Sequence, residues 1–205
     1  MKKYIIFDLD WTLIQSMSDA VKIILDYLSN IPGIDLEKAK YIFKTTPCTA
    51  LKTQIEYIFE WNKEVNTNKI TKEIYKTLLN YDADFFDWVP EKIKELCKKY
   101  KLFLTTWNST KVAIKHLEKW WILDCFELIY WSDKILKWME HLNIFKEYSK
   151  DKDFFKNSIY VWDGHSDRIF AKEAWIDFIH IWDNKEDKYE IKSVKDIDKI
   201  LINLK

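Results

Sequence analysis

The chain is expected to fold as an α/β protein: a Rossmann-like parallel sheet with an inserted helical subdomain. Three observations carry this expectation. Short apolar runs recur between longer stretches of helical spacing. Carboxylates and threonines fall at or just after the carboxyl ends of those runs. One long stretch, residues 15–87, shows successive segments of helical spacing with no strand between them. Strands alternating with helices make a parallel sheet covered on both faces, and ligands bind at the carboxyl ends of its strands. The 205 residues suffice for one domain with an insertion.

The first strand is Tyr4–Phe7, an unbroken apolar run that stops at Asp8. Helical spacing follows over Ser18–Ser29, Asp35–Lys44, Leu51–Glu60 and Thr71–Asn80. Breaks fall at Asn30-Ile31-Pro32-Gly33, at Thr46-Pro47 and through 61–68. The core is expected to span residues 1–14 and 88–205, with the helical subdomain at 15–87. The core resumes near Trp88-Val89-Pro90, where Pro90 suits the first turn of a helix over Glu91–Tyr100. Further strands are expected at Leu102–Thr105, Leu128–Tyr130, Ile159–Val161 and Phe178–Ile181, with a helix over Thr110–Lys119. Tyr41, Phe43, Tyr57 and Phe59 are read as packing residues of the helical subdomain.

The composition is anomalous. The chain holds 2 Gly and 11 Trp, whereas glycine ordinarily makes up about 7% of a protein. The two types together come to roughly that ordinary glycine share. Several tryptophans stand where a chain turns, such as Trp61 after one helical run and Trp120-Trp121 after another. Glycine is the usual residue there because it tolerates φ > 0. Lysine, isoleucine and asparagine are abundant and Arg168 is the sole arginine, as in an AT-rich genome. Most of these tryptophans are therefore read as glycines: UGA, a stop in the standard code, encodes Gly in one code and Trp in another. The alternative is a protein that is genuinely rich in tryptophan.

Charge and cysteine content exclude several classes. The 33 basic and 33 acidic residues are intermixed, leaving no basic stripe for nucleic acid. No run of 18 apolar residues is present, so no membrane span is expected. The apolar run after Lys2-Lys3 is too short for a signal peptide. Cys48, Cys97 and Cys125 form neither a zinc pattern nor a disulfide framework, which makes a cytoplasmic location the expectation.

The chemistry is concentrated in Asp8-Leu9-Asp10-Trp11-Thr12. Residues i and i+2 of a strand share a face, so Asp8 and Asp10 are expected together at its end. Two adjacent carboxylates repel unless a cation or a shared proton relieves them. This segment closely resembles the first motif of the haloacid dehalogenase (HAD) superfamily, Asp-x-Asp-Gly-Thr, with Trp11 in place of glycine. Resemblances to the other motifs follow in order. Leu102–Thr105 ends at Thr106, similar to the second motif, with Thr105 one residue early. Lys137 or Lys134 resembles the third, and Lys137 is preferred because Trp138 read as glycine gives Lys-Gly. Trp162-Asp163-Gly164-His165-Ser166-Asp167 resembles the fourth, followed by Ala171-Lys172-Glu173-Ala174-Trp175-Ile176, similar to the family's Ala-x-x-Ala-Gly-Ile.

The resemblance implies a core with a C1-type helical cap and a Mg²⁺-dependent hydrolase. Asp8 would attack phosphorus and form an aspartyl-phosphate. Asp10 would give a proton to the leaving oxygen and then take one from water. Thr106 and Lys137 would hold the phosphoryl oxygens. Asp8, Asp163 and the Asp10 carbonyl would bind Mg²⁺, with Asp167 acting through water or on the lysine. Asp10 favours phosphate over halide chemistry, because a departing halide needs no proton. The implied function is a phosphatase acting on a small phosphorylated metabolite, similar to phosphoglycolate phosphatase. A phosphomutase of the β-phosphoglucomutase type uses the same core residues, and a non-catalytic binding protein is the alternative if the tryptophans are genuine. Of the histidines, His165 lies within the fourth motif and is read as a solvated loop residue.

Overall fold

The computed structural model describes residues 2–46, 49–79, 81, 83–106, 110–131, 139–181 and 188–204. The chain divides into two compact units, one of Met1–Gln15 with Asp84–Lys205 and one of Ser16–Ala83. The strands are β1 (Tyr4–Phe7), β2 (Lys101–Thr106), β3 (Phe126–Trp131), β4 (Ser158–Trp162), β5 (Asp177–Ile181) and β6 (Glu190–Ile191). Helices α1 (Met17–Ser29), α2 (Leu36–Thr45), α3 (Leu51–Ile58) and α4 (Thr67–Leu79) belong to the second unit. Helices α5 (Val89–Leu96), α6 (Thr110–Lys119), α7 (Met139–Ser149), α8 (His165–Glu173) and α9 (Asp198–Leu201) belong to the first.

The six strands form one parallel sheet in the order β3-β2-β1-β4-β5-β6, the α/β architecture expected from the sequence. All four residues of β1 are buried, as an unbroken apolar run in a parallel sheet covered on both faces should be. Phe7 aligns with Leu104 of β2 on one side and Val161 of β4 on the other. The chain builds outwards from β1 to β3, then returns to the far side of β1 with β4. The strand order therefore reverses at β1, and the carboxyl ends flanking that switch point are the place for a ligand crevice.

An aromatic core braces the sheet. Phe103 of β2 meets Phe145 of α7 at 4.9 Å between ring centroids, and Tyr4 meets Phe154 at 4.8 Å. Such contacts contribute about 0.5–1.5 kcal/mol beyond area burial. α5 begins at Val89, two residues before the expected Glu91, with Pro90 inside its first turn.

In the second unit, successive helices pack on one another and α4 returns to α1. Ile24, Leu28, Phe43, Ile55, Ile58 and Ile74 form the centre of its core. Asp35 caps α2 by accepting from the Lys38 N–H at 2.9 Å. Asn66 does the same for the Lys69 N–H at 2.9 Å, so α4 starts a turn before the expected Thr71. Such caps contribute about 1 kcal/mol each. Phe43 and Phe59 are core residues as expected, but Tyr41 and Tyr57 are exposed. Each lies two residues from a buried neighbour, Phe43 and Ile55 respectively, and a two-residue step of about 200° reaches the opposite face of a helix. No described helix is long and apolar enough to cross a membrane.

Candidate active site

β1 delivers Asp8 to the switch point. Its backbone N–H donates to the Val161 carbonyl at 3.1 Å, extending the β1–β4 pairing by one bond, and the residue is 4% exposed. The strand itself ends at Phe7, so the pleat does not carry through to Asp10 as the two-residue spacing suggested. A tight loop positions Asp10 instead. The Leu9 carbonyl accepts from the Leu13 and Ile14 N–H groups at 2.9 and 3.1 Å, and the Trp11 N–H donates to the Ile14 carbonyl at 2.9 Å. The loop is held from outside as well: Gln15 N–H donates to Asp84 O, and Phe86 N–H to Leu13 O.

β2 ends in two threonines whose side chains alternate across the sheet. Thr106 is fully buried, and its Oγ1 donates to Asp10 Oδ2 at 3.1 Å. Thr105 Oγ1 lies 2.8 Å from His141 Nδ1, a buried pairing away from the loop. The register preferred from the sequence, Thr106 over Thr105, is the one that meets Asp10.

Asp163 follows β4 directly. Its Oδ1 lies 3.5 Å from the hydroxyl of Thr12, and its carbonyl lies 2.9 Å from Nε2 of His180, the buried residue paired with Trp162 across β4 and β5. A carbonyl only accepts, so His180 Nε2 carries the proton. Thr12 and His180 thus tie Asp163 from two sides. Sequence reasoning alone assigns no role to His180. The alternation Phe178-x-His180 on the strand next to the Asp163 segment was the available signal. Trp162, read from the sequence as a glycine position, is a buried strand residue packed 5.2 Å from Tyr160.

Asp167 falls in the first turn of α8, and its side chain lies outside the described set. Lys134 and Lys137 also lie outside the described residues. The structure thus gathers Asp8, Asp10, Thr12, Thr106 and Asp163 at the carboxyl ends of β1, β2 and β4. Among the described residues, no three His, Cys, Asp or Glu side chains converge as a ready-made metal cage. Mg²⁺ is commonly held by only one or two carboxylates, with substrate phosphate and water completing its octahedron. The hard oxygen donors of Asp8 and Asp163, at adjacent strand ends, fit that requirement.

Residues 5–181 match the haloacid dehalogenase-like hydrolase family. The chain belongs to that family. Solved HAD structures share its fold. A predicted phosphoglycolate phosphatase from Haemophilus somnus is 18% identical, with a TM-score of 0.76 over 98% of each chain. The HAD-hydrolase YfnB from Bacillus subtilis, bound to magnesium, is 18% identical with a TM-score of 0.73 over 98% of each chain. A 2-haloacid dehalogenase from Pseudomonas syringae is 17% identical with a TM-score of 0.71 over all of both chains. No curated protein matches the sequence. Fold likeness thus reaches a predicted phosphatase and a dehalogenase alike, so the choice between their chemistries rests on the site.

Proposed function

We propose that this HAD hydrolase is a Mg²⁺-dependent phosphatase that acts on a small phosphorylated metabolite through an aspartyl-phosphate at Asp8. The observation that carries the reading is Asp10, a second carboxylate held by the Thr106 hydroxyl at 3.1 Å. Halide leaves without a proton, whereas an alkoxide expelled from phosphorus needs one. A positioned Asp10 is therefore a requirement of phosphate-ester chemistry and superfluous to dehalogenation.

Asp8 forms the new O–P bond as the ester O–P bond breaks, and Asp10 passes its proton to the departing oxygen. Asp10 then takes a proton from water as the water oxygen bonds to phosphorus and the Asp8–phosphorus bond breaks. The second displacement leaves Asp8 free again, and the two together divide one hard step into two easier ones. Burial of Asp8 strips water from the nucleophile before attack. The Asp8 and Asp163 carboxylates and the Asp10 carbonyl would hold Mg²⁺, which when bound offsets charge on the phosphoryl oxygens. Thr12 and His180 fix Asp163 for that task. Thr106 and Lys137, or Lys134 in its place, are assigned to the phosphoryl oxygens, and Asp167 to a water-mediated metal contact or to the lysine. The helical unit Ser16–Ala83 is assigned as the substrate-selecting cap. The magnesium and the phosphatase in the names of the two structural relatives agree with this reading. Free thiols at Cys97 and Cys125 fit a cytoplasmic setting.

The test is phosphate release from an aryl phosphate with and without Mg²⁺, with Asp8→Asn alongside. Release that requires both Mg²⁺ and Asp8 is the expected result. A folded, Mg²⁺-binding protein that releases no phosphate would overturn the reading and direct the search to phosphoryl return within a sugar phosphate.

A further inference from the structure

Among the described residues, five that are not glycine have φ in the left-handed region, and four of them are tryptophan. They are Trp11 (φ 57°), Trp88 (67°), Trp121 (51°) and Trp175 (55°), beside Lys150 (54°). Tryptophan supplies 11 of 205 residues, so chance placement would put fewer than one there. The residues that tolerate this region best after glycine are asparagine and aspartate, and none of the five is either. A Cβ in this conformation costs about 1–2 kcal/mol.

The hydrogen bonding at two of the sites is that of a glycine helix stop. After α6, the Trp121 N–H donates to Glu118 O at 3.0 Å and the Ile122 N–H to Leu117 O at 3.0 Å. After α8, the Trp175 N–H donates to Lys172 O at 3.1 Å and the Ile176 N–H to Ala171 O at 2.9 Å. Each pair of bonds is a Schellman motif, with the tryptophan at the position where glycine is usual. The apolar partners the motif brings together, Leu117 with Ile122 and Ala171 with Ile176, are buried as it requires. Trp88 is third in the turn closed by Val89 N–H onto Phe86 O, a place that requires φ > 0 in a type II turn. Trp11 sits inside the tight loop between Asp10 and Thr12.

At three of the four sites no compensating burial offsets the strain. Trp88, Trp121 and Trp175 are 66%, 82% and 88% exposed. Three of the largest apolar side chains thus lie in solvent on backbone that disfavours any side chain.

We propose that residues 11, 88, 121 and 175 are glycine in the protein as its source makes it, their UGA codons being read as glycine there. Trp162 is outside the proposal, because its strand backbone accepts any residue and its indole is packed in the core. The inference does not depend on the catalytic reading. It does bear on the site: at residue 11 it removes an indole from the loop that carries Asp10, and restores Asp-Leu-Asp-Gly-Thr.

The codons give the first reading. UGA at all four is expected, and UGG at them overturns the proposal. Mass spectrometry of peptides from the source organism gives the second, with glycine mass expected at each position and tryptophan mass contradicting it there. The third separates backbone from bulk. At each site Trp→Ala removes the indole but keeps the Cβ, whereas Trp→Gly removes both. Denaturant unfolding should show Trp→Gly raising the folding equilibrium constant about tenfold per site over Trp→Ala. Equal stability of the alanine and glycine variants would show that the backbone makes no demand for glycine and would overturn the structural argument. If the tryptophan form does not fold, the comparison is made one site at a time in a background carrying glycine at the other three.

Discussion

The hydroxyl of Thr106, at the end of β2, donates to the carboxylate of Asp10, in the loop after β1, across 3.1 Å. Ninety-six residues of sequence separate the two, and parallel pairing of β1 with β2 brings them together. The bond makes Asp10 a fixed group instead of a mobile loop carboxylate, and proton transfer is sensitive to such placement.

Removing that donor should therefore slow catalysis without unfolding the protein. Thr106→Val keeps the shape and deletes the hydrogen bond that positions Asp10, and misplacing a catalytic group can cost up to about a hundredfold in rate. A fall of about ten- to a hundredfold in kcat/KM for aryl phosphate is expected, with Thr106→Ser retaining most activity. Steady-state kinetics on the two variants, with unfolding curves as controls, check this.

His180 supports Asp163 through its backbone carbonyl. His180→Phe should leave the aromatic stack on Phe178 and lose the hydrogen bond to that carbonyl. Partners of metal ligands typically contribute ten- to a hundredfold in metal affinity, so half-saturating Mg²⁺ should rise by about tenfold. A Mg²⁺ titration of activity measures it, and an unchanged titration would separate His180 from the metal site.

These contacts also show what was legible in the sequence. The five expected strands are present because buried parallel strands read as unbroken apolar runs, a purely local signal. The short strand β6, Glu190–Ile191, carries no such run and is silent to that signal. The start of α4 differs from the expected one because Asn66, its cap, reads as a loop residue in sequence and shows its role only by accepting from the Lys69 N–H. Asp8, Asp10, Thr106 and Asp163 could be named from local motifs. The bonds Thr12–Asp163 and His180–Asp163 could not, since each joins residues that only the sheet order brings together.

A pH effect on stability is expected far from the site. Asp151 accepts from Asn157 Nδ2 at 3.0 Å, from the Asp153 N–H at 2.9 Å, and from Lys3 and Tyr4. These donors, the Asn157 amide foremost, hold its carboxyl well below the ordinary carboxylate range. A depressed carboxyl pKa stabilises the fold above the unfolded value, near 3.9, and the benefit is lost as pH falls towards the folded value. Asp151→Asn should thus be less stable than the parent at pH 7, with the gap closing below about pH 4. Urea unfolding of both proteins across that range tests the sign.

Cys97, after α5, and Cys125, just before β3, bring their sulfurs to 3.1 Å. Burial and the neighbouring Cys97 push the Cys125 thiol up to about 12. A low-molecular-weight disulfide in excess should convert the pair to an intramolecular disulfide, the oxidant being reduced to two thiols. The reaction should be slow at neutral pH and faster as pH rises, because the thiolate is the attacking form. Intact mass after alkylation follows it, and Cys97→Ser should abolish it.

The central claim is that Asp8 carries the phosphoryl group. It is tested most directly by quenching the enzyme in acid during turnover of an aryl phosphate, then reducing with borohydride. Reduction of an aspartyl-phosphate leaves homoserine, and peptide mass spectrometry should find it at residue 8 only when substrate and Mg²⁺ were both present. Unmodified Asp8 at every quench time, in an enzyme that releases phosphate and whose Asp8→Asn variant releases it equally fast, would contradict the account.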